Sequence, residues 1–224
     1  MSKKLFTSII LCLVCVFCSA QENTTSDYNV GSTFYKAVYS KKKQVIQVYK
    51  SSDKKHFTVI NNVITDKNEL DLSKGNNHLI ACYNEFNSTL YIIGANTARG
   101  QKFILHAKNP AGEWSKPVFL TNSRIGTDPS LFWDKNGACY LQSTSDNNII
   151  QLVIDPTTGE ELSSFHYLTS GLDGHQIKYP CIFQIGDNYY LRFLEDKKIT
   201  TLKSDDIWGP FTRLPKDYFP YFQF

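Results

Sequence analysis

A turn followed by a strand ending in tyrosine recurs along this chain at nearly constant spacing. Gly31-Ser32-Thr33-Phe34-Tyr35, Asn87-Ser88-Thr89-Leu90-Tyr91, Asn136-Gly137-Ala138-Cys139-Tyr140 and Gly186-Asp187-Asn188-Tyr189-Tyr190 share the pattern. Their tyrosines lie 56, 49 and 50 residues apart. A period of that size built from short strands marks propeller blades, because one small sheet buries its faces only by stacking on neighbouring copies. No long segment carries apolar residues at 3.6-residue spacing, so little helix is expected. The chain reads as all-β, one β-propeller domain with blades at about 24–70, 77–122, 126–170 and 178–216.

Each unit divides into strands. In the third they fall at 130–133, 138–143, 149–154 and 165–168, and the second and fourth divide in the same way. The first shows three, with no clear innermost strand. Residues 149–154 are apolar on nearly both faces, as a middle strand between two blades requires. Asn136-Gly137 predicts a two-residue type I′ hairpin, which needs φ > 0 at both central positions. That register puts Asp128 at the mouth of a strand. A carboxylate there is either a helper in a site or a local cap.

Tyr and Phe are abundant (13 and 15) against a single Met, which again favours strands. The formal charge of +3 is spread out, and the one basic run, Lys41-Lys42-Lys43, lies between two strand-like segments as a solvated turn. Nucleic acid is therefore not an expected partner. Lys3-Lys4, an apolar run over 9–17 and Cys18-Ser19-Ala20 read as a secretory signal over 1–20, implying export. The run is too short for a membrane span of roughly 20 residues; lipid attachment at Cys18 is the alternative. Cys82, Cys139 and Cys181 follow the leader without a CxxC pair, so no zinc site or other metal is expected. They read as buried thiols, with one disulfide as the alternative.

The segment Asp128-Pro129-Ser130-Leu131-Phe132-Trp133-Asp134-Lys135-Asn136-Gly137-Ala138-Cys139-Tyr140-Leu141 resembles the "DPslFfDdDGkaYL" stretch of glycoside hydrolase family 43. Ala107-Lys108-Asn109-Pro110-Ala111-Gly112-Glu113-Trp114-Ser115-Lys116-Pro117 is similar to the family's "A-s-p-x-GPWs-P". Lys203-Ser204-Asp205-Asp206-Ile207-Trp208-Gly209-Pro210-Phe211 is similar to its "rS-x-x-i-x-GPY". The likeness runs from about 31 to 211. It implies a five-bladed propeller that hydrolyses arabinose- and xylose-containing glycans by inversion, without a cofactor.

The resemblance also implies three carboxylates at inner-strand starts. The first blade supplies a general base, the third an aspartate that adjusts the acid's pKa, and the fourth a glutamate acid. Acid and base stand roughly 6.5–9.5 Å apart to admit a water. Asp128 matches the pKa-modulating aspartate. Lys178, in Lys178-Tyr179-Pro180, occupies the glutamate's place in the family's "EGP", and a lysine cation does not replace a carboxylic acid. The base position falls on Thr24. Asp27, three residues on, is the remaining base candidate, but an odd register shift turns its side chain to the other face. Asp173 is a stand-in acid candidate from the preceding loop. Tyr83, Trp133 and Tyr179 are candidate sugar-stacking surfaces, with core packing as the alternative. The family's axial histidine, carried on a fifth blade, is matched by none of His56, His78, His106, His166 and His175. Three readings follow: a hydrolase of this type, a glycan-binding propeller that has lost the acid and base, or a fragment lacking a blade. Sugar, linkage and oligomeric state are not legible.

Overall fold

The computed structural model describes residues 15–16, 25–30, 33–169 and 175–214, with side chains from residue 33 onward in those ranges. Among them there are strands and turns and no helix, hence no helix long and apolar enough to cross a membrane. Blade one comprises β2 (Thr25–Val30), β3 (Thr33–Ser40), β4 (Val45–Ser51) and β5 (Thr58–Val63). The short β1 (Cys15–Val16), within the segment read as leader, pairs with β2 through Cys15 opposite Asp27. Blade two holds β6 (Asn77–Asn84), β7 (Thr89–Asn96), β8 (Gln101–Ala107) and β9 (Val118–Leu120). Blade three holds β10 (Ser130–Trp133), β11 (Cys139–Ser145), β12 (Asn148–Ile154) and β13 (His166–Tyr167). Blade four holds β14 (Ile177–Ile185), β15 (Asn188–Glu195), β16 (Lys198–Ser204) and β17 (Thr212–Arg213).

Every blade is an antiparallel meander. The innermost strand of blade one, not evident in the sequence, is β2. It joins blades one and two into one sheet by pairing in parallel with β6, Thr25 opposite Leu79 and Ser26 opposite Ile80. Three apolar layers separate the blades. Ile46, Val48, Leu79 and Leu105 pack between the first two. Tyr91, Ile104, Trp133 and Leu152 pack between the second and third. Ile149, Ile182, Leu191 and Phe193 pack between the third and fourth. The strands β7, β11, β12 and β15 therefore bury both faces, and every residue of β7 is buried.

The β10–β11 hairpin departs from the expected type I′ turn. Only Gly137 has positive φ (79°), and its N–H donates to the Asp134 carbonyl at 2.9 Å. The connection is a type I turn followed by a left-handed glycine. Asp134 decides this, because its Oδ1 accepts the Asn136 N–H at 2.7 Å and draws the chain into the wider loop. Two-residue turns with φ > 0 at both positions lie elsewhere, at Asp146-Asn147 (48° and 60°) and Asp196-Lys197 (49° and 67°). Cys82, Cys139 and Cys181 are buried thiols. Burial pushes the Cys181 thiol up to about 11 and keeps it protonated.

Blade four is tied at its edge by charge. Glu195 accepts both Arg213 guanidinium nitrogens at 2.9 Å and the Thr200 hydroxyl at 2.7 Å, with His175 Nδ1 at 3.8 Å. Arg213 holds the Glu195 carboxyl below the usual carboxylate range. The pair's stabilisation is present above the unfolded value of about 4.3 and is lost as pH falls through the lower folded value. Arg213 is more than half exposed, so solvent screening limits the effect to about 0.5–1 kcal/mol. Glu195→Gln should flatten the acid limb by that amount in urea melts between pH 5 and pH 3; parallel slopes for both proteins would refute the assignment.

Candidate functional site

The starts of the inner strands converge at one end of the blades. Asp128 lies two residues before β10, Lys178 is the second residue of β14 and His78 the second of β6. Gly126 allows the approach to β10 to lie flat on β11. A Cβ there would sit 2.3 Å from the Thr144 carbonyl oxygen. This close approach carries the Asp128 carboxylate onto Thr144, whose N–H and hydroxyl donate to Oδ1 at 3.2 and 2.6 Å. The other oxygen, Oδ2, accepts the N–H of Tyr179 at 2.7 Å. Asp128 is 3% exposed, and both oxygens are held by the chain itself.

Tyr179 lies in a β-bulge. The pairing of β14 with β15 shifts between Lys178 and Cys181, so Tyr179 and Pro180 face Phe193 alone. Tyr179 has φ 56°, a left-handed conformation that costs a residue with a Cβ about 1–2 kcal/mol. In the resembled "EGP" this position is glycine. Blade three clamps the bulge on both sides. Asp128 takes the Tyr179 N–H, and the buried Ser130 hydroxyl donates to the Pro180 carbonyl at 2.6 Å. Alternate residues of Asp128-Pro129-Ser130 thus grip one backbone bend, which is how a strained residue persists.

The bend presents Lys178 to solvent, with no carboxylate within 4.0 Å of its ammonium among the described residues. His78 is half-buried, with its ring 5.7 Å from that of Tyr179. Burial pushes the His78 imidazole down, Asp128 draws it back up, and Lys178 lowers it further. The cluster combines a neutral imidazole at neutral pH, a fixed carboxylate, an exposed ammonium and a phenol ring. It can hydrogen-bond and stack against a polyhydroxylated ligand. Among the described residues it holds no second carboxylate to act with Asp128.

The structure brings together Asp128, Lys178 and Tyr179 of the expected residues and adds His78 and Thr144. It places the other two aromatic candidates elsewhere. Tyr83 lies five residues beyond His78 and Trp133 five beyond Asp128, each about 16 Å at the strand rise. Tyr83 stacks on Tyr35, centroids 6.5 Å apart, and packs on the first core. Trp133 is buried in the second core, with its ring 4.8 Å from that of Tyr91. For both, packing is the role seen. Asp27 is the third residue of β2, one past Ser26, which pairs with Ile80; its side chain is outside the described residues, as are Thr24 and Asp173. His78 was legible in principle: His78, Asp128 and Lys178 follow one another at intervals of 50 residues, the blade period itself.

The model of glycosyl hydrolases family 43 matches residues 17–217. The chain belongs to this family. It is 28% identical over 189 residues to a non-reducing end alpha-L-arabinofuranosidase of Bacteroides ovatus, covering 76% of this chain and 34% of that protein. A xylosidase/arabinosidase of Butyrivibrio fibrisolvens is 36% identical over 107 residues, 46% of this chain and 20% of the relative. The solved family 43 protein of a Bacteroides ovatus xyloglucan locus superposes with a TM-score of 0.73 at 28% identity, covering 87% of this chain and 41% of that one. The chain thus spans about a third of the length of the first of these curated relatives and a fifth of the second.

Proposed function

We propose that this family 43 chain recognises arabinose- or xylose-containing glycans at the propeller mouth and does not hydrolyse them. The observation that carries the reading is the exposed Lys178 at the bend gripped by Asp128. Inverting hydrolysis needs a protonated carboxylic acid to hand its proton to the leaving oxygen. An aliphatic ammonium holds its proton too tightly to do so near neutral pH, but it donates well to sugar hydroxyls. Asp128, with both oxygens engaged by Thr144 and Tyr179, serves the backbone that presents Lys178. Tyr179 and His78 supply a ring surface for the C–H face of a sugar. The names of the two curated relatives support arabinose and xylose as the sugars. Lys3-Lys4 and the apolar run after them support an exported protein that meets such glycans outside the cytoplasm.

Titration calorimetry with arabino- and xylo-oligosaccharides should detect binding that Lys178→Ala weakens about tenfold, the loss of one charge-assisted hydrogen bond. Aryl arabinofuranosides and xylosides should release no chromophore. Steady release that Asp128→Asn abolishes would overturn the reading in favour of catalysis.

A further inference from the structure

A second concavity lies away from the mouth, on the outer side of blades one and two. It is a groove of about 400 Å³ between the end of β5 and the loop joining β8 to β9. That is within the ~300–1,000 Å³ of ordinary small-molecule sites. The wall is built rather than incidental. Asn61, from blade one, donates through Nδ2 to the carbonyls of Pro110 and Gly112 at 3.1 and 2.7 Å, and so fixes the blade-two loop. The Trp114 indole N–H closes on Pro110 O at 3.2 Å. One side of the groove is apolar. Trp114 lines it while packing on the first core, and Ile64 stands at its lip 80% exposed, the most exposed large apolar side chain described. Asn62, Asp66, Glu69 and Glu113 line the polar side.

We propose that this groove is a second carbohydrate-binding site, taking a neutral segment of a polysaccharide whose reading as ligand rests on the function proposed above. A sugar ring has an apolar C–H face and a rim of hydroxyls that both donate and accept. Trp114 and Ile64 match the face, the carboxylates match the donors, and the Asn62 amide and Lys116 ammonium match the acceptors. Asn62 Oδ1 already accepts from Gln47 at 3.2 Å, which leaves its Nδ2 hydrogens for a ligand. Three carboxylates, Asp66, Glu69 and Glu113, against one ammonium, Lys116, which lies 4.0 Å from Glu69 Oε1, repel polyuronates. A purely cationic ligand would in turn leave the Asn62 and Lys116 donors unmatched. Two sites on one chain let a long polysaccharide bind at both, so affinity for polymer exceeds affinity for a short oligosaccharide.

The test uses the full chain in affinity electrophoresis through soluble arabinoxylan, beside calorimetry with xylotriose. Trp114→Ala, and independently Ile64→Ser with Glu113→Ala at exposed positions the fold does not need, should weaken retention by arabinoxylan tenfold or more. Xylotriose affinity should stay at the wild-type value in both. Lys178→Ala should weaken xylotriose binding and leave residual retention that the groove substitutions remove. Wild-type retention in both groove variants would overturn the second site while leaving the mouth intact. Retention that depends on the groove but not on Lys178, with no xylotriose binding, would support the groove and overturn the mouth. Equal retention by polygalacturonate would overturn the neutral-segment assignment.

Discussion

Asp128→Ala is expected to destabilise the chain by about 3 kcal/mol, lowering Tm by roughly 6–12 °C. The substitution removes a 3%-exposed carboxylate that accepts from Thr144 N, Thr144 Oγ1 and Tyr179 N. These donors are left in a pocket that alanine does not fill. The Tyr179 bulge also loses one of its two clamps, and its left-handed residue (φ 56°) has less to hold it. Asp128→Asn keeps one acceptor but turns an NH₂ towards a donor, so it should fall between alanine and wild type. Urea melts with unchanged m-values would measure this. An alanine variant within 0.5 kcal/mol of wild type would show that the carboxylate is not a clamp.

Gln151→Leu should cost a similar amount, about 3 kcal/mol, through a different network. A chain of buried amides crosses blade three and reaches blade four at both ends. Ser130 Oγ donates to Pro180 O at 2.6 Å and lies 3.2 Å from Gln142 Oε1. Gln142 Nε2 donates to Gln151 Oε1 at 2.7 Å, and Gln151 Nε2 to Ile207 O at 2.9 Å. Both glutamines are 0% exposed. Leucine at 151 leaves the Gln142 amide and the Ile207 carbonyl without partners. Gln142→Leu leaves only Gln151 Oε1 orphaned and should cost less. The double variant removes the mismatched amides together, so it should be less destabilised than the sum of the singles by about 1 kcal/mol or more. Strict additivity would mean that the two side chains do not act as a network.

Much of the fold was readable from pattern. The Tyr35, Tyr91, Tyr140 and Tyr190 spacing placed the blades, and the two-faced apolar run at 149–154 placed a middle strand that is indeed buried between neighbours. These signals are local: alternation and turn chemistry act within a few residues. The Asn136-Gly137 turn shows how thin the margin is. Both the expected and observed turns put glycine at positive φ, and one side-chain hydrogen bond from Asp134 selected between them. β2 is not evident in the sequence because Thr-Ser-Asp-Tyr-Asn-Val carries only Tyr28 and Val30 as large apolar residues and pairs partly across blades with β6. For the site, residue types are legible in the sequence, whereas which residues of a strand reach the mouth depends on strand starts that packing sets. Tyr83 and Trp133 lie on the right strands at the wrong end, whereas His78, which matches no axial histidine of the resembled family, lies one blade period before Asp128.

The sequence by itself determined the blade period, the all-β class, the family likeness and the alignment of Asp128 and Lys178 with a carboxylate-based site. Only the tertiary structure decided what Asp128 touches. Its partner Tyr179 is 51 residues away in the chain and meets it only because blade four stacks on blade three. A repeat specifies each blade's own pairing through side-chain alternation. Which backbone group lands opposite which carboxylate depends on how two finished sheets pack, and at this seam packing sets the expected aspartate and Ser130 against the next blade's bend.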